Sequence, residues 1–206
     1  MRLTLLRVFL VVIGFLFFLI FLPFRILNLF RRNTGGSGPL KLYRRQGAEM
    51  LYWETWADGG GNRTVHWGKV GERGESRTVP KAEAGSIDAE AEARRAEGYA
   101  EIPHDDLYGI EVVYEIEGWG GPGDLPKRHR LEERLDQTLG WTGLGHMDGG
   151  SIGSGTMESF FDVVDPDIAR RVIEENLRGT EFADYSEIRV HPPFSQTAEE
   201  DLVPQG

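Results

Sequence analysis

The stretch YGIEVVYEIE at residues 108–117 decides how the second half of this chain folds. Ile110, Val112, Tyr114 and Ile116 alternate with Glu111, Glu115 and Glu117, so one face is apolar and the other acidic, with Val113 as the exception. That period of two belongs to a β-strand with one buried face. Downstream, residues 125–139 place Leu131, Leu135 and Leu139 four apart, the apolar stripe of an amphipathic helix. Asp124 is its expected N-cap, and Pro126 lies in its first turn. Residues 156–164 read as a strand on which Met157, Phe161 and Val163 share a face. Asp165, Pro166 and Asp167 then start a helix as N-cap, N1 proline and dipole-favoured acid. It runs to about Leu177 and ends at Gly179, and residues 187–191 return as a strand.

If residues 141–145 add a short second strand, the order is strand, helix, strand, strand, helix, strand. That predicts a ferredoxin-like β-α-β-β-α-β domain over residues 104–194, an α+β architecture that by itself implies no activity.

The first half, residues 40–103, reads as an antiparallel sheet with one helix. Residues 41–45, 49–57, 63–70 and 75–79 are strand-like, and Asp58-Gly59-Gly60-Gly61-Asn62 supplies turn chemistry between the second and third. An Ala-rich helix at 88–97 is closed by Gly98. Within this segment HWGKVGERG, residues 66–74, resembles the WGR domain family, through Trp67-Gly68-Lys69-Val70-Gly71, Gly74 and the later Gly98-Tyr99. The resemblance implies a macromolecular partner contacted through Trp67 and Lys69, which in that family touch DNA ends and neighbouring domains. Arg73 and Arg77 flank them and complete a partner-binding patch. Lysine replaces the family's arginine at 69, which removes a planar bidentate fork for phosphate.

At the amino end, the run that begins at Leu3 and closes at Phe30 is almost wholly Leu, Ile, Val and Phe. A helix over residues 3–22 would be about 30 Å long, the thickness of a bilayer's hydrocarbon core. It is expected to be a single-pass transmembrane anchor inserted in the lipid bilayer, occupying residues 1–32 with its basic flank. Residues 33–39 are expected to be a flexible linker and residues 195–206 an acidic disordered tail. The heavier positive flank follows the run, which places the soluble domains in the cytoplasm.

The net charge of −10 hides an asymmetry. Residues 1–45 hold eight of the 23 bases and no acid, leaving 15 bases against all 33 acids, a net of −18 for the rest. Such a body argues against sequence-blind binding of nucleic acid, which depends on neutralising phosphate. No cysteine is present, so disulfides, thiolate catalysis and cysteine zinc sites are excluded.

Catalytic signals are weak. The glycine-rich run 143–155 lacks the Gly-Lys-Ser/Thr ending of a phosphate loop and leads into a strand, so a bulged or kinked hairpin is expected. As a binding loop it would present His146, Asp148 and Ser151. Asp162, Asp165 and Asp167 resemble a metal cluster on paper, but capping explains two of them, and His104-Asp105-Asp106 reads as a solvated junction. No metal and no cofactor is therefore expected. The readings combine into a non-enzymatic, membrane-tethered binding or adaptor protein with a protein partner. The alternatives are nucleic-acid binding through the WGR-like strand, and a hydrolase built on His146 and Asp148.

Overall fold

In the computed structural model, which describes residues 39–200, strand β1 (Leu40–Gln46) pairs with β2 (Glu49–Ala57). Strand β2 pairs with β3 (Arg63–Lys69), and β3 with β4 (Glu75–Val79). All pairings are antiparallel, in the order β1-β2-β3-β4. The β2–β3 loop is shaped by Asp58, whose Oδ1 accepts from the amides of Gly60 at 2.8 Å and Asn62 at 2.9 Å. Strand β2 is rich in Tyr and Trp because it is buried on both faces. On one, Trp53, Leu42, Val65 and Val79 pack against Ile87 and Ala91 of helix α1 (Ser86–Ala96). After α1 the chain returns to the sheet through a single antiparallel bridge, Ala100 to Tyr43.

The second sheet contains β5 (Tyr108–Glu115), β6 (Gly145–Gly153), β7 (Thr156–Val163) and β8 (Glu187–His191), in the antiparallel order β6-β7-β5-β8. Helix α2 (Asp124–Gly140) joins β5 to β6, and α3 (Pro166–Leu177) joins β7 to β8. The chain order is thus β-α-β-β-α-β. Leu131, Leu135 and Leu139 of α2, with Ala169, Ile173 and Leu177 of α3, bury Ile110, Val112 and Phe161 on one sheet face. Asp165 caps α3, its Oδ1 accepting from the Ile168 amide at 3.0 Å. Helix α2 starts at Asp124 itself, so its cap is Gly123, one residue before the expected one, and the Asp124 carboxylate instead accepts from the Gly121 amide at 2.7 Å.

Two local expectations change. The second strand of this sheet is not 141–145 but the glycine run itself. A side chain at Gly150 would strike the Glu132 carboxylate and the Glu158 carbonyl, so glycine is what lets β6 approach both β7 and α2. The β6–β7 hairpin turns at Ser154 (φ 54°) and Gly155 (φ 92°), the left-handed pair that a tight two-residue turn requires. Within the stretch expected to be disordered, the described residues include helix α4 (Phe194–Glu200).

The two sheets share one core. The second face of the first sheet (Tyr43, Met50, Tyr52) and Val70 join the cluster of α2, α3, β5 and β7. Tyr43 donates to the Gly143 carbonyl at 3.1 Å, and the Gly71 amide to the Thr142 carbonyl at 2.8 Å. Gly143 (φ 66°) lies directly on the Tyr52 ring, where a side chain would clash. A polar chain also lies in this seam: Tyr52 Oη to His66 Nε2 at 2.9 Å, His66 Nδ1 to Glu54 Oε1 at 2.7 Å, and Glu54 Oε2 to Lys41 Nζ at 3.3 Å.

The expectation of a transmembrane helix is corrected. Among the described residues no helix is long and apolar enough to cross a membrane. The longest, α2, carries Lys127, Arg128, Arg130, Glu132, Glu133, Arg134 and Asp136, charges that a hydrocarbon core does not accept. No described helix supports the expected single-pass anchor, or the membrane and cytoplasmic placement that depended on it. The run at residues 3–30 lies outside the described residues.

Candidate metal centre

The face of the second sheet turned away from α2 and α3 is polar at one end. Cross-strand register places His146 of β6 opposite Asp162 of β7, Asp162 opposite Gly109 of β5, and Gly109 opposite His191 of β8. This row alternates with the apolar row of Gly145, Val163 and Tyr108 on one side and Met147, Phe161, Ile110 and Val190 on the other. Asp162 is 4 % exposed, a carboxylate set into the sheet rather than onto it.

Two further donors reach it. Between Met147 and Gly149 the β6–β7 register slips, making Asp148 the extra residue of a β-bulge. Bulges re-aim side chains, and this one brings the Asp148 carboxylate beside Asp162. Helix α2 supports the bulge: Asp136 Oδ1 accepts from the Met147 amide at 2.8 Å. His104 comes from a short 3-10 turn, His104–Asp106, begun by Pro103 and leading into β5. Its Nε2 is 2.9 Å from Asp162 Oδ2, while half of its side chain remains in solvent. One ligand atom each from His104, Asp148 and Asp162 lies within 4.8 Å of the others. One imidazole and two carboxylates form a donor set that would suit a borderline or hard divalent cation.

Nearby, Glu111 holds His191 Nε2 at 2.9 Å and Arg189 Nη1 at 3.1 Å. Those contacts engage the Glu111 carboxylate and fix the neighbouring strand edge.

The residues singled out in the sequence separate into several environments. Trp67 packs on the α1 side of the first sheet, opposite Trp53, with the Arg77 guanidinium 5.9 Å from its ring centre. Arg77 is paired with Glu90. Lys69 contacts Glu49 at 2.8 Å and Glu72 at 3.2 Å, and these bonds hold its ammonium above the usual lysine range. Arg73 points elsewhere, its guanidinium 5.3 Å from the ring centre of Trp141, which touches His66 on the opposite face of the sheet. The four therefore do not form one exposed patch. Ser151 donates to Glu158 Oε2 at 2.6 Å, and His146 is exposed beside Asp162.

Asp148 was singled out in the sequence as a loop residue and Asp162 as one of an aspartate trio set aside as a metal cluster, whereas His104 was assigned to a solvated junction. No local spacing links the three, because a junction turn, a bulge and a central strand bring them together. The chain matches no known protein family, no curated protein and no solved structure.

Proposed function

We propose that this protein is a divalent-cation-binding protein whose metal is held by His104, Asp148 and Asp162. The observation that carries the reading is the convergence of three ligand atoms within 4.8 Å from three separate elements. Two supports strengthen it. The bulge has the geometric effect of directing Asp148 inward, and Asp162 is a buried carboxylate, a group for which a cation offsets the cost of leaving water. The donor chemistry favours Mn2+, Fe2+ or Zn2+ over cations that prefer thiolates. A metal here keeps positions for water or a ligand oxygen, so the site suits binding or polarising an oxygen-bearing group.

Isothermal titration of the EDTA-treated full chain with Mn2+ and with Zn2+ tests the reading. One equivalent should bind, with proton release and with affinity rising as pH rises, because the imidazole must lose its proton. The D148N and D162N variants should each lose most of that affinity. Unchanged binding in both variants, or no binding to the parent protein, would sink the proposal.

A further inference from the structure

On the helical side of the second sheet, remote from the metal donors, the β3–β4 turn, the C-terminal half of α2 and the end of α3 enclose an open cleft of about 670 Å3. Its polar wall contains Arg73, Arg130 and Arg134 against Glu133 and Glu181. Glu181 is already taken by Arg130, through bonds of 2.9 and 3.3 Å. Arg134 is anchored on a neutral group, its Nε donating to Asn176 Oδ1 at 2.6 Å and its Nη2 to the Asn176 carbonyl at 3.0 Å. Its Nη1 has no acceptor among the described residues. Arg73 pairs with no carboxylate among the described residues, and its guanidinium lies over Trp141 at 5.3 Å. A cation–π contact with an indole uses none of the guanidinium N–H donors.

We infer that this cleft binds a small phosphate monoester through Arg73 and Arg134. Four features lead there. The cleft, though open, has room for a small ligand. Two guanidinium groups with available donors line it, in a body that is otherwise strongly acidic, so the surplus positive charge is local. A phosphate dianion can engage both, whereas a single carboxylate satisfies one fork. Lastly, Trp141 is already engaged by Arg73, by Trp56 at 5.9 Å and by His66 at 4.9 Å, leaving it a poor platform for a nucleobase. The ligand is therefore a non-nucleotide phosphate. This site shares no residue with the metal centre and stands or falls separately.

The test is titration of the full chain in EDTA at low salt with phenyl phosphate, benzoate and adenosine monophosphate as probes. Phenyl phosphate should bind saturably at one site, with benzoate much weaker and the nucleotide no tighter. R73A should weaken phenyl phosphate about tenfold, the loss of one charge-assisted contact. R73K, which keeps the charge and loses the fork, should fall between, and guards against a folding defect in R73A. R77Q, on the other face of the first sheet, should bind as the parent does. The inference is overturned by no saturation at about 10 mM probe, by benzoate or the nucleotide binding as well or better, or by equal losses in R73A and R77Q.

Discussion

Two of the places where a histidine meets carboxylate oxygen among the described residues stand in contrast. His66 is fully buried in the seam between the sheets, its Nδ1 held by Glu54 and its Nε2 by Tyr52. Glu54 is in turn held by Lys41, and Tyr52 Oη also accepts from the Gly74 amide at 3.0 Å. The side-chain polar atoms of His66, Glu54 and Tyr52 all find partners inside the protein. His104 faces Asp162 and Asp148 with half of its side chain in water, so the same chemistry keeps room for an exchangeable partner. Residue type alone does not separate a structural cluster from a ligand site; what separates them is whether the surrounding elements close over the group.

The sharpest way to break that contrast is to remove each histidine. H66A leaves Glu54 and Tyr52 buried without their partner and should cost about 3–5 kcal/mol, as for other broken buried networks. H104A takes a half-exposed imidazole away from the buried Asp162 carboxylate and should cost less, about 1–2 kcal/mol. Urea denaturation of the full chain measures both. Similar losses would show that the two clusters are energetically alike.

Metal provides the next largest effect. At about one hundred times its dissociation constant, a cation that binds only the folded state stabilises it by about 2.7 kcal/mol. Mn2+ or Zn2+ should therefore raise the denaturation midpoint of the parent and of Y52F, and leave D148N unmoved. If D148N gains as much as the parent, the open cluster is not where metal acts.

The contrast also bears on what could be read from the chain. Once residues 49–57 and 63–70 are seen as a hairpin around Asp58–Asn62, pairing Ala57 with Arg63 places Glu54 opposite His66, so the sealed cluster was within reach of sequence. The open one was not. His104 to Asp162 spans most of the second half, and Asp148 contributes only through a bulge that no periodicity announces. Strand β6 was similarly hidden. Glycine has little β propensity, and what requires it at 145 and 150 is the close approach of β7 and Glu132, a tertiary cause. The α2 and α3 stripes and the β5 alternation were legible because each repeats a local period over several residues. The apolar run at residues 3–30 was equally plain as composition, but its expected span lies outside the described residues.

A smaller effect tests how tightly the seam is sealed. Burial pushes the Tyr52 hydroxyl up to about 12, above its ordinary value near 10. An acid whose folded value is raised keeps its proton in the folded state while the unfolded chain has lost it. Its contribution to stability is then whole below pH 10 and declines as pH rises toward 12. Y52F should cost about 1–2 kcal/mol at neutral pH, from the unpaired His66 nitrogen and Gly74 amide. It should also make the alkaline loss shallower. An unchanged alkaline slope would mean that the seam admits water at Tyr52.

The smallest expected effect concerns Glu132, a carboxylate buried between α2 and β6 that is neither sealed by full pairing nor open to a ligand. Burial raises its pKa above the ordinary value of 4.5, against the opposing pull of Arg128, whose Nε lies 3.1 Å from Oε1. A raised carboxyl makes the folded state hold a proton that the unfolded chain has released. Its contribution is greatest below pH 4.5 and is lost as pH rises through the folded value. E132Q keeps the shape and cannot ionise, so its stability relative to the parent should improve as pH rises from 4.5 toward neutrality. Denaturation at several pH values reads this directly. If the parent instead gains on E132Q over that range, attraction to Arg128 outweighs burial, and Glu132 belongs with the satisfied carboxylates of the seam.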